Sequence, residues 1–124
     1  NENKLERLNK VSREAAKQCL RSVAPEVAYC GDLKSALSAV KEYKNKLFAC
    51  EFAAESEADI SSLSGSTALV VGSEGGFSRE EEASAKEFGF ASVTLGKRIL
   101  RAETAAVALT AVTMFALGEL GRKA

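Results

Sequence analysis

Three short apolar segments separated by helical patterns predict an α/β fold, a parallel sheet flanked by helices. Lys46–Phe52 (KLFACEF), Thr67–Val71 (TALVV) and Ala91–Leu95 (ASVTL) each read as a buried strand. A capped helix follows the second and a long apolar helix follows the third. In such alternating sheets, ligands are expected at the carboxyl ends of the strands. A length of 124 residues suits one domain with a sizeable core.

The elements follow in order. Leu5, Leu8, Val11, Ala15, Cys19 and Leu20 recur at helical spacing, with charges on the other face. Pro25 ends that region. Asp32 is placed to cap a helix running to about Tyr43, with Leu33, Ala36, Leu37 and Val40 on one stripe. After the first strand, Glu55–Gly65 is small and polar and reads as a loop with room for a short helical turn. The second strand runs into Gly72-Ser73-Glu74-Gly75-Gly76-Phe77. Ser78 and Glu81 then form a capping box for a helix to about Phe88, with Gly89 at its end. Beyond the third strand and a basic loop, the last helix is expected from Ala102 to Leu120. No internal repeat or low-complexity stretch is visible.

Composition excludes several functions. Hydrophobic residues make up 46% and charged residues 27%, as in an ordinary globular protein. Lys+Arg and Asp+Glu are 17 each, so the chain is not a basic nucleic-acid coat, and any RNA contact must come from a local cluster. His is absent, which removes Ser-His-Asp and Cys-His catalysis and every His-ligated metal. Cys19, Cys30 and Cys50 form no CxxC pair, so no metal site or disulfide framework is expected and a reducing cytoplasm is the simpler setting. The most apolar run, Ala105–Leu117, is too short for a membrane span, and no signal-peptide pattern is visible. The chain starts at Asn1 rather than Met and reads as processed or cut down.

Two loops carry the functional signal. Gly72, Ser73, Glu74, Gly75 and Gly76 join a strand to a capped helix, where glycines let backbone approach a ligand. The pattern is neither G-x-x-x-x-G-K-[ST] nor G-x-G-x-x-G, and it holds Glu74 with no Lys or Arg. A carboxylate there repels phosphate and suits ribose hydroxyls, an adenine edge or a sulfonium. The blander reading is a tight turn. The second loop, Leu95-Gly96-Lys97-Arg98-Ile99-Leu100-Arg101, combines the tightest basic cluster with two apolar residues that suit a core or a flat nucleobase. Glu103 and Thr104 fall in the first turn of the last helix, where an acid also suits the helix dipole.

Together, GSEGGF-S-x-x-E and LGxRILRxETA resemble the RsmE-type 16S ribosomal RNA uridine methyltransferases of the SPOUT superfamily. Glu14-Ala-Ala-Lys-Gln18, Arg21 and Pro25-Glu26-Val27 resemble the preceding helix and loop, so the match spans nearly the whole chain. The resemblance implies S-adenosylmethionine as methyl donor, and N-3 of a uridine in 16S ribosomal RNA of the small subunit as acceptor. It also implies a homodimer and a carboxyl-terminal trefoil knot. The cofactor-binding loops fall on Gly72, Ser73, Glu74, Gly75 and Gly76, and on Leu95, Gly96, Arg98, Ile99, Leu100 and Arg101; Cys50-Glu51-Phe52 is a third, less secure stretch. Against the family, residues 1–124 correspond to the methyltransferase domain without its first strand and helix. The family's amino-terminal PUA-like RNA-binding barrel has no counterpart.

For that chemistry Arg101, with Arg98 as second choice, is placed to stabilise the uracil oxygens, and Glu103 or Glu74 to take the N-3 proton. Two other readings stand beside it: a catalytically silent RNA- or nucleotide-binding module on the same fold, and a flavodoxin-like nucleotide binder, against which Glu74 argues.

Overall fold

The computed structural model describes residues 2–50, 56, 58–73, 76–95 and 101–120. The chain divides into two compact units, residues 1–32 and 33–124.

The first unit is helix α1, Glu2–Gln18, and the segment that returns beside it. The Asn9 amide clamps the backbone of Val27: Nδ2 donates to its carbonyl at 2.8 Å, and Oδ1 accepts from its N–H at 2.7 Å. Ser12 Oγ donates to the Pro25 carbonyl at 2.6 Å. The covered side of α1 is therefore Leu5, Asn9, Ser12 and Ala16, while Leu8, Val11, Ala15 and Cys19 of the apolar stripe are exposed. Two polar side chains that satisfy a returning backbone decide the helix's facing there, which hydrophobic spacing alone misses. The helix ends on Leu20 at φ +62°, with Arg21 N–H bonded to the Ala16 carbonyl at 2.8 Å.

The second unit holds α2 (Leu33–Ala39), β1 (Asn45–Ala49), a 3-10 turn (Ile60–Ser62), β2 (Thr67–Val70), α3 (Arg79–Glu87), β3 (Ala91–Val93) and α4 (Ala102–Ala116). The strands form a parallel sheet in the order β2-β1-β3. Alternation along each strand sorts the core into two layers. Phe48 and Cys50 of β1 and its continuation, with Ala68 of β2, pack with Leu37 of α2, Ala85 of α3 and Phe90. Leu47 and Val93 face the other way, with Leu109 of α4 and half-buried Ile60, Leu63 and Leu69. The strand segments are thus apolar on both faces because both faces are covered.

Some boundaries differ from the sequence expectation. α2 stops at Ala39; residues to Tyr43 continue as i to i+3 turns, with Tyr43 N–H on the Val40 carbonyl at 3.1 Å. The stripe to Val40 is compatible with that tighter winding. β3 stops at Val93 because the Thr94 N–H turns to Ser56 Oγ at 2.9 Å. α4 stops at Ala116, four residues before Leu120, because Gly118 takes φ +83° and Glu119 N–H closes on the Met114 carbonyl at 2.8 Å. Among the described residues no helix is long and apolar enough to cross a membrane.

Candidate active site

The three parallel strands end at one edge. β1 lies between the other two, so the glycine turn after β2 and the segment after β3 flank the end of the central strand. Neighbouring strands are about 4.8 Å apart, so the two exits are separated by about 10 Å, within the length of a nucleoside-sized ligand.

The glycine turn is tight. Gly76 takes φ +72°, and its N–H bonds to the Ser73 carbonyl at 2.8 Å. A Cβ on Gly72 would meet the Gly76 carbonyl carbon and the Phe77 ring at 3.3 Å. Ser73 is exposed beside half-buried Gly72 and Gly76. The exit is fixed by the capping box: Glu81 N–H donates to Ser78 Oγ at 3.1 Å, and Ser78 N–H donates to Glu81 Oε1 at 2.8 Å. Phe77 meets Phe48 of β1 edge-on, with centroids 6.0 Å apart at 83°. Two residues after Phe48, just past β1, the buried Cys50 thiol donates to Glu82 Oε1 at 3.4 Å.

On the other flank, half-buried Leu95 packs into the core layer of Leu47, Val93 and Leu109. A groove of about 710 Å³ opens there, lined by Ile60, Ser61, Thr94, Leu95, Val112 and Phe115 among others. Asp59 shapes its 3-10 wall by accepting from the Ser61 hydroxyl and from the Ser61 N–H at 3.0 Å. The hydroxyl bond first, then the backbone bond, holds its carboxyl below the ordinary value. Arg101 is exposed at the N-cap of α4, without a side-chain cap bond; its carbonyl accepts from Ala105 N–H at 2.8 Å. Glu103 is exposed in the first helical turn.

Of the residues singled out from sequence, Gly72, Ser73, Gly76, Leu95, Arg101 and Glu103 are thus located. Glu51, Phe52, Glu74, Gly75, Gly96, Lys97, Arg98, Ile99 and Leu100 lie outside the described residues, as does the segment on which a knot would turn. Sequence reasoning missed the Cys50–Glu82 contact. The available signal was parity: Phe48 and Cys50 share one face of the strand.

A family model for the RNA methyltransferase domain matches residues 1–114. The chain belongs to this family. Within the RNA methyltransferase domain family, it is 37% identical over 108 residues to the ribosomal RNA small subunit methyltransferase E of Mesomycoplasma hyopneumoniae (strain 232), covering 87% of this chain and 47% of that protein. Among solved structures, it is similar to the small subunit methyltransferase E of Neisseria gonorrhoeae bound to S-adenosyl methionine. That match has a TM-score of 0.81 and 35% identity, over 93% of this chain and 48% of that one. A putative methyltransferase from Legionella pneumophila in complex with the same cofactor gives a TM-score of 0.82 and 29% identity, over 92% and 47%. This RNA methyltransferase domain spans about half the length of the Mesomycoplasma relative and of those two solved proteins.

Proposed function

We propose that the protein carrying this domain methylates N-3 of a uridine in 16S ribosomal RNA of the small subunit, with S-adenosylmethionine as donor, and works as a homodimer. The observation that carries the reading is the convergence of the glycine turn and the β3 exit on one strand edge. The described chemistry fits the donor. The turn is closed so tightly at Gly72 that a Cβ there would meet Gly76 and the Phe77 ring, and Gly72-Ser73-Glu74-Gly75-Gly76 contains no cation to oppose a sulfonium. The likeness to two proteins solved with this cofactor supports the same assignment.

Gly72, Ser73, Glu74, Gly75 and Gly76 on one flank, and Leu95, Gly96, Arg98, Ile99, Leu100 and Arg101 on the other, would hold the donor. When bound, S-adenosylmethionine supplies a methyl group on a positively charged sulfur. Arg101, from the start of α4, stabilises negative charge on the uracil oxygens as N-3 loses its proton. Glu103 or Glu74 accepts that proton and passes it to solvent. The protein's remaining task is alignment of the two reactants. The dimer reading comes from α4: Val107 and Phe115 are 70% and 67% exposed on the face opposite buried Leu109.

The test has two arms in the native protein. Calorimetry should detect S-adenosylmethionine binding, and labelled methyl should transfer to small ribosomal subunits, with N-3-methyluridine in the digested RNA. Absence of cofactor binding sinks the proposal. Binding without transfer points to a silent module on the same fold.

A further inference from the structure

We propose that Cys50 and Glu82 are a positioning pair that sets the glycine turn from the central strand, rather than from the strand the turn follows. The inference rests on reading this edge as the methyl donor's site; Glu82 has no role in the chemistry above, and Cys50 opens the third cofactor-lining stretch that the resemblance implies, so the ligand-free readout below decides the pair.

Phe48 and Cys50 lie on the same side of β1 and its continuation, and both are buried in the core layer of Leu37, Ala85 and Phe90. Each reaches toward the chain that leaves the glycine turn. Phe48 meets Phe77, the residue immediately after Gly76. Cys50 donates to Glu82, one helical turn beyond the Ser78 cap. The turn's exit and the first turns of α3 are thereby attached to the central strand at two points. The backbone ladder attaches that same strand to β2 and β3, and Cys50 N–H itself bonds the Val93 carbonyl at 2.9 Å.

Glu82 differs from its neighbours Glu80 and Glu81. Glu80 is exposed, and Glu81 closes the capping box on Ser78, which is local to α3. Glu82 is the half-buried carboxylate of that run, and it takes a thiol donor from a residue 32 positions earlier. A thiol is a weak donor, yet a carboxylate acceptor strengthens the bond, and the low exposure of Cys50 limits competition from water. Loss of the pair frees α3 to shift along the sheet, and the turn from Gly72 to Gly76 shifts with it.

The experiment compares Cys50→Val and Glu82→Ala with Cys50→Ser and Glu82→Gln in the native protein. Val fills the site without a donor, and Ser and Gln keep a donor and an acceptor. Amide exchange at Gly76, whose N–H closes the turn on Ser73, reads the turn without any ligand. Calorimetry then reads S-adenosylmethionine affinity. The expected result is faster Gly76 exchange and an affinity about tenfold weaker in Cys50→Val and Glu82→Ala, the size of one lost charge-assisted bond. The double variant should be no worse than the poorer single, and Ser and Gln should restore both readouts. Lower thermal stability with unchanged Gly76 exchange would overturn the proposal, as would additive effects in the double variant. If the wild type binds no S-adenosylmethionine, the functional reading fails, while Gly76 exchange still decides the pair.

Discussion

Leu20 occupies a backbone conformation that costs an L side chain energy. It sits at φ +62° just past α1, in the place that Gly89 and Gly118 hold past α3 and α4. The same pair of closing bonds is present: Leu20 N–H to the Lys17 carbonyl and Arg21 N–H to the Ala16 carbonyl. Its side chain is 91% exposed, so little packing offsets the strain. Leu20→Gly should therefore stabilise the protein by about 1 kcal/mol, while Leu20→Ala should not, as read by chemical denaturation. Gly72 presents the converse case. A methyl there meets Gly76 and the Phe77 ring at 3.3 Å, so Gly72→Ala should open the turn. S-adenosylmethionine affinity should fall by more than thermal stability does. At Arg101 the prediction separates roles. A group that stabilises the uracil anion should, on replacement by Ala, cut transfer about 10²–10³-fold with cofactor affinity kept. A phosphate contact would instead weaken RNA binding and flatten its salt dependence. Arg101→Lys retains charge without the planar fork, so near-normal turnover in it would argue against bidentate recognition.

At the scale of elements, the sequence was most readable where local chemistry closes on itself. Ser78 with Glu81, and Gly89 after α3, are sufficient causes within a few residues, and both appear as expected. The strand segments were legible because apolar residues on both faces demand two covering layers. Strand order was not, since pairing depends on contacts distant in sequence: β1 proves central, and that puts Cys50 between the two loops. The facing of α1 was hidden for a related reason, because Asn9 and Ser12 find their partners at Val27 and Pro25. The 3-10 turn gives a pH prediction. Asp59, held below its ordinary value by Ser61, contributes stability that is present above the unfolded carboxylate range and lost as pH falls through the lower folded value. Asp59→Ala should lower the melting temperature near neutrality, and its gap from wild type should close in acid. No gap at any pH would mean the turn is held by Ile60 and Leu63 packing alone, and a gap that persists below both values would mean Asp59 acts without its charge.

For the whole molecule, the last helix decides whether one copy suffices. Along α4, Ala105, Leu109 and Thr113 are buried at i, i+4 and i+8. Val107, Ala111 and Phe115 repeat the spacing two residues later, about 200° around the axis, and all three are exposed. One step earlier at the same spacing is the exposed Glu103, which bounds the apolar stripe, and Val112 beside that stripe is 43% exposed. Burial of a large apolar side chain gains about 1.5–3 kcal/mol, and a two-fold contact counts each residue twice. A charge placed on the same face would have to be desolvated in both copies. Val107→Glu and Phe115→Glu should each shift the native protein toward monomer, raising the dimer dissociation constant more than about 100-fold in sedimentation. Thr110→Glu lies off the stripe and is exposed, so it should leave assembly intact. Because Phe115 and Val112 also line the groove beside Leu95, monomers should lose cofactor affinity as well. Variants that remain dimeric would move the interface elsewhere on the surface, and a wild type already monomeric at micromolar concentration would remove it.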